Sequence, residues 1–159
     1  MNNRKEFLEK EYIPLLKKLK PDTKGNWGLM NCHQMVEHMI YSFRVANGNL
    51  KIEKLMVPEE HISKMQSWVL SNKPMRENIH NPLLSEIPPQ PENNDYTVSV
   101  SILESEIMNL MKIYEQNPNL EILNPFYGNL NFNLNINLLY KHAVHHLRQF
   151  GIELDYIEE

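Results

Sequence analysis

Three of the chain's seven histidines fall in the run His142-Ala143-Val144-His145-His146, and their spacing is the first chemical signal in the sequence. Residues four apart on a helix lie on one face a turn apart, so His142 and His146 can turn two imidazoles toward a single ion. Zinc metalloproteases use paired histidines in the same way. The glutamate that follows the first histidine of their motif is replaced here by Ala143, which removes the general base of that reaction. His145 stands three residues from His142, a separation that one helical face also accommodates, so spacing leaves His145 as an alternative to His146. Gln149 extends the stripe, giving His-x-x-x-His-x-x-Gln along what would otherwise be a core-facing strip.

A buried polar strip needs partners, and His38 offers one, since it sits among Met35, Met39 and Ser42 on the apolar stripe of an earlier segment. Three neutral imidazoles with coordination positions left open make a catalytic type of metal site. The donor set takes a divalent ion, zinc or nickel ahead of iron or manganese, and ligand type alone does not choose among them.

These side chains need helices to hold them. Over residues 5–20, Phe7, Leu8, Tyr12, Ile13, Leu15, Leu16 and Leu19 recur at helical spacing, with Pro14 as a kink and Pro21 as a stop. After a loop over 22–30, Asn31 is an N-cap and Gln34 completes a capping box, so the second helix covers 32–46 and ends at Asn47, Gly48 and Asn49. A third helix is expected over 58–71, with Pro58, Glu59 and Glu60 suited to its start and Ile62, Met65, Trp68 and Val69 as its apolar face. Pro74, Pro82, Pro88, Pro89 and Pro91 deny regular hydrogen bonding to 72–95, which reads as a long ordered connection.

The fourth helix is expected over 96–117, burying Val98, Ile102, Ile107, Leu110, Met111 and Tyr114, with Pro118 marking its end. The alternation NLNFNLNIN has the period of a strand, but Asn131 as an N-cap places Leu134, Leu138, Leu139 and His142 at helical spacing. We therefore expect a helix there, running without a breaker to Gly151 as its C-terminal cap. The fold class expected is all-α: the first, second, fourth and fifth helices as a four-helix bundle, the third an accessory helix in a long crossover.

At 159 residues, 42% apolar and 23% charged, the chain suits one domain spanning its whole length. A net charge of -4 and a pI near 6.0 argue against a general nucleic-acid binder, which needs a basic face. The single cysteine, Cys32, cannot form an internal disulfide, and the start MNNRKEFLEKEY carries charge where a signal peptide needs an apolar core. A cytoplasmic protein is expected, without a membrane span, because no run approaches about 20 apolar residues.

The segment WGLMNCHQMVEHM, followed far downstream by NPFYGNLNFNLNINLLYKHAVHHLRQFG, resembles the DinB/YfiT-like superfamily and, more narrowly, its DUF1569 branch. The resemblance rests on residues 27–39 and 125–151 and covers the intervening chain by length and helix order. It implies a DinB-like four-helix bundle in which a histidine of the second helix and a His-x-x-x-His pair of the last long helix bind a divalent metal. The matching positions are His38, His142 and His146. Relatives often carry an acidic residue and a tryptophan early in the last helix, where this chain has Leu134 and Asn135. The resemblance further implies metal-activated chemistry on a small-molecule substrate: S-transfer or isomerisation with a low-molecular-weight thiol, or hydrolysis by activated water. It also implies a homodimer. The alternative from another class is a metal-binding or stress-response module without turnover.

Other residues carry weaker expectations. Gln149 either orients a ligand imidazole or closes the helix end. Trp27, Phe126 and Tyr127 precede the two histidine-bearing helices and either wall a substrate pocket or pack the loops. His145 is expected to face solvent or a neighbouring helix, and His33 to lie at the surface or cap its helix. His61 and His80 lie in the crossover region without partner spacing. Glu37 is read as part of a solvated face, Cys32 as structural, and the nine methionines as core filler.

Overall fold

Helix α1, over residues 3–16, is interrupted where its sequence requires it. Pro14 has no N–H for the carbonyl of Lys10, and its ring crowds that carbonyl. The computed structural model, which describes residues 3–78, 85–155 and 157, answers with a π turn at Phe7–Glu11 between α-helical Asn3–Glu6 and Tyr12–Leu16. There the Tyr12 N–H reaches back five residues to the Phe7 carbonyl. The expected kink is thus a π turn, and the helix ends at Leu16 rather than at Pro21. Lys18 and Leu19 close it with bonds to the carbonyls three residues back.

Helix α2, Cys32–Ala46, starts on the expected capping box: the Asn31 side chain accepts from the Gln34 N–H at 2.8 Å, and the Gln34 side chain accepts from the Asn31 N–H at 2.9 Å. Helix α3, Ile62–Leu70, follows a short 3-10 turn at Glu59–His61. Helix α4, Tyr96–Gln116, is capped by Asp95, whose side chain accepts from the Thr97 N–H at 2.8 Å. Its core face is Val100, Leu103, Ile107, Leu110, Met111 and Tyr114. Val98, expected inside, is 45% exposed. It precedes Val100 by two residues, about 200° around the helix, so the register that buries the later residues turns Val98 outward.

The sequence reading had no strand, and the structure corrects it. Ile122–Asn124 (β1) pairs antiparallel with Gly128–Leu130 (β2), matching Ile122 to Leu130 and Asn124 to Gly128. Asn124 closes the turn by accepting the N–H groups of Phe126 and Tyr127 at 3.0 and 3.2 Å, and Gly128 takes a positive φ of 72°. The alternating run is therefore divided: Asn129 and Leu130 are strand, and helix α5, Phe132–Gln149, takes the remainder. Asn131 caps α5 as expected, accepting from the Leu134 N–H at 3.0 Å, and Gly151 follows its end at φ 82°.

The chain is thus mostly helical, in keeping with the expected all-α class, with one small hairpin added. A principal core collects apolar residues of α1, α2, α4 and α5, while α3 packs on α5 through a separate cluster of Val69, Leu130, Leu134 and Leu138. Arg4, 2% exposed, joins α1 to the site-bearing helix by donating to the Asn137 side chain, and it also donates to Asn72 and to the Ile157 carbonyl. No helix among the described residues is long and apolar enough to cross a membrane.

Glu106 is a buried anchor at the far end of α2. Burial pushes its carboxyl up, but donors from Arg44 at 2.8 Å, Asn47 at 2.8 Å and Asn49 at 2.9 Å outweigh this and hold it low. Glu106→Gln is expected to destabilise by about 1 kcal/mol at pH 7, since one amide oxygen cannot serve three donors. The difference should shrink as pH falls through the carboxylate range, because a depressed folded pKa confers stability that acid removes. Urea denaturation of both proteins at pH 7 and pH 4 checks it.

Candidate metal centre

His38 lies midway along α2, and His142 and His146 lie one turn apart near the end of α5. Packing of the two helices brings the three imidazoles together. The Nε2 of His142 stands 2.9 Å from that of His38 and 2.9 Å from that of His146, and all three ligand nitrogens lie within 4.8 Å of one another. His146 is buried, whereas His38 and His142 are half-buried, so the cluster is closed on the His146 side. No carboxylate among the described residues joins it.

The tautomer of His146 follows from its surroundings. The Trp27 carbonyl, an acceptor only, faces the Gln149 amide nitrogen at 2.7 Å, which fixes the amide so that its oxygen faces His146 Nδ1 at 2.7 Å. Nδ1 must then carry the hydrogen, and the Nε2 that points into the cluster carries a lone pair. Burial, reinforced by the adjacent imidazoles, pushes His142 and His146 well below the usual histidine range, and burial first and His145 second bring His38 down to about 4. All three are neutral at pH 7, the form that binds metal.

Of the two roles left open for it, the Gln149 side chain takes the first and orients an imidazole. In place of closing the helix end, it anchors the loop ahead of α2. The Asn26 N–H bonds the Gln149 carbonyl at 2.7 Å, and a Cβ on Gly25 or Gly28 would come within 2.8 or 2.9 Å of the Gln149 side chain. Gly28 also has φ 72°, so this loop accepts only glycine where it seats on the amide. Neither glycine drew notice in the sequence, because their partner lies more than a hundred residues away.

His145 is not among the three convergent nitrogens. Burial holds it below the usual histidine range against the opposing charge of Glu77, and its ring lies 5.7 Å from that of Trp27. Of the three loop aromatics, Trp27 touches the site through Gln149 and His145, Phe126 is half-buried in the hairpin turn, and Tyr127 lies apart from the histidines, stacked on Trp68 at 6.2 Å. His61 is exposed beside that aromatic pair, and His80 lies outside the described residues.

Two expectations on α2 are overturned. His33 is neither a cap nor a surface residue: it is 8% exposed and its Nε2 lies 2.9 Å from Ser99 Oγ on α4. Ser99 donates in turn to Glu37 at 2.6 Å, and Asn93 donates to the same carboxylate at 2.9 Å. The face taken for solvated is the one on which α4 docks, and this polar relay fastens it. A serine on the buried stripe of α4 was the available signal. Cys32 is structural as expected, wholly buried with Sγ 3.3 Å from the Tyr96 hydroxyl and its thiol pushed up by burial.

Ligand nitrogens about 2.1 Å from a tetrahedral ion lie about 3.4 Å apart. The observed separations bracket that spacing, the three rings are neutral, and the lone pair assigned to His146 points inward. The residues fit a divalent ion. Compared with known proteins, the chain matches no family model, no curated sequence and no solved structure.

Proposed function

We propose that this chain is a divalent-metal-dependent enzyme of the DinB-like type, with α1, α2, α4 and α5 as a four-helix bundle, α3 as its accessory helix, and His38, His142 and His146 holding one ion. The observation that carries the reading is the convergence of three neutral imidazoles from two helices, with one ring's tautomer set by an amide. Held by these residues, a divalent ion would supply Lewis acidity that lowers the pKa of a thiol or of water, chemistry suited to S-transfer, isomerisation or hydrolysis on a small substrate. The residues around it divide the remaining work. Gln149 holds the His146 ring, the loop at residues 25–28 holds Gln149, and the half-buried edges of His38 and His142 form the side from which a substrate approaches. Zinc and nickel suit the donor set first.

Elemental analysis of the purified protein beside His142→Ala and His146→Ala variants, each verified as folded by circular dichroism, tests this directly. Near one equivalent of metal in the parent and none in either variant is expected, followed by a screen of thiol-dependent and hydrolytic reactions. A parent that neither carries divalent metal nor takes up added zinc or nickel overturns the reading. Stoichiometric metal without turnover in that screen points instead to a metal-binding module.

A further inference from the structure

A cleft that shares no lining residue with the histidine cluster lies along α3. Helix α3, the hairpin loop and the segment after α3 border this open cleft of about 500 Å³, lined by His61, Lys64, Met65, Trp68, Arg76 and Tyr127. That volume is in the range of small-molecule sites, about 300–1,000 Å³, and the lining has their usual composition, an apolar wall with a few polar groups.

The wall is held rigidly. Trp68 is held by the Tyr127 ring, nearly parallel at 21°, and by the Lys141 ammonium, 4.6 Å from its centroid. Tyr127 is fixed by Gln66, which donates to its carbonyl at 2.8 Å and to that of Asn129 at 3.1 Å. The hairpin approaches α3 so closely that a Cβ on Gly128 would meet Ile62 at 2.9 Å. Lys141, wholly buried and bonded to the Lys73 carbonyl at 2.6 Å, keeps its amine against the Trp68 ring.

The charge of the cleft is opposite to that of the chain. The whole sequence is net -4, yet the lining carries Lys64 and Arg76 and, among the described residues, no carboxylate. Among the described residues no ion pair neutralises Lys64 or Arg76. Unpaired cations on an apolar floor suit a ligand with one anionic group and an apolar body, and the guanidinium of Arg76 is a fork matched to carboxylate or phosphate oxygens.

We infer that this cleft binds a small organic anion, its carboxylate or phosphate on Lys64 and Arg76 and its apolar body against Met65, Trp68 and Tyr127. The position gives the site a place in the molecule's chemistry: Trp68 and Tyr127 pack on Leu134 and Leu138, and Leu138 is one helical turn ahead of His142 on α5.

The test uses Trp68 as reporter. The sequence has two tryptophans, so Trp27→Phe leaves Trp68 alone, and its fluorescence is followed while 4-phenylbutyrate, phenyl phosphate or the uncharged 4-phenylbutyramide is added. Saturable binding of at least one anion is expected, at least tenfold tighter than the amide. Lys64→Met combined with Arg76→Met should abolish that preference by weakening the anion while leaving the amide unchanged. Whether carboxylate or phosphate binds tighter identifies the natural headgroup. The same preference in metal-stripped protein and on His142→Ala keeps this result separate from the fate of the metal site. Three outcomes overturn the inference: equal affinity for acid and amide, no saturable binding of any probe at millimolar concentration, or anion binding that survives loss of Lys64 and Arg76 but not of His142. Repeated by calorimetry on the parent, the comparison of acid with amide needs no variant, so misfolding cannot obscure it.

Discussion

Stripped of metal by a chelator, the protein is expected to lose stability steeply as pH falls from about 6.5 to about 4, with a slope reduced by replacing His38, His142 or His146 with asparagine. Burial first, and neighbouring imidazoles second, depress all three histidines in the folded protein, His38 to about 4 and the other two well below the ordinary histidine range. In the unfolded chain each returns to its ordinary value near 6.5. Between those limits the unfolded state binds more protons. Stability is therefore complete above about pH 6.5 and is lost as acid drives the histidines to charge by unfolding. Each contributes about 1.4 kcal/mol per pH unit within its window, so three together approach about 4 kcal/mol per pH unit, less whatever solvent at the half-buried rings of His38 and His142 screens. Urea midpoints measured every half pH unit give the slope. Each asparagine variant should remove roughly one proton from it. An unchanged slope in all three variants would mean that the acid sensitivity arises elsewhere. Metal-loaded protein should hold to lower pH, because the ion competes with the protons for the same lone pairs.

What the sequence disclosed of this architecture follows the range of the interactions involved. Local chemistry was legible: the Asn31–Gln34 capping box, the Asn131 cap and Gly151 mark helix ends through contacts within a few residues. The relation of His142 to His146 was legible for the same reason, since one helix fixes it. Addition of His38 required two helices to be neighbours, which the apolar stripe around it implied without fixing. The hairpin was missed because strands of three residues are too short for a period to register, although Asn124, Pro125 and Gly128 carried turn chemistry. His33 and Glu37 were misplaced because their face is decided by α4, more than sixty residues along the chain. The cations of the cleft were invisible as a group, since Lys64 and Arg76 mean nothing together until α3 and the segment after it fold over the hairpin.

Gln149→Leu is expected to weaken zinc affinity by about 10–100-fold, the usual cost of losing the group that orients a ligand histidine. With the amide gone, His146 Nδ1 has no acceptor, and the ring is free to place its hydrogen on Nε2, the nitrogen that would face the proposed ion. Gln149→Glu separates this effect from simple loss of packing. Its carboxylate still accepts from Nδ1 and makes the ring more basic, so metal affinity should be retained or increased. The same carboxylate cannot donate to the Trp27 carbonyl, so the loop at residues 25–28 should loosen and thermal stability should fall. Gly28→Ala attacks the arrangement from the other side, because its Cβ would lie 2.9 Å from the Gln149 amide nitrogen at a backbone angle that alanine adopts poorly. It should lower affinity without touching a ligand. Competition titrations against a calibrated chelator, run beside thermal melts, resolve the three. If affinity simply follows melting temperature across the three variants, Gln149 is a packing residue, whereas tight binding by a destabilised Gln149→Glu assigns it to positioning the His146 ring.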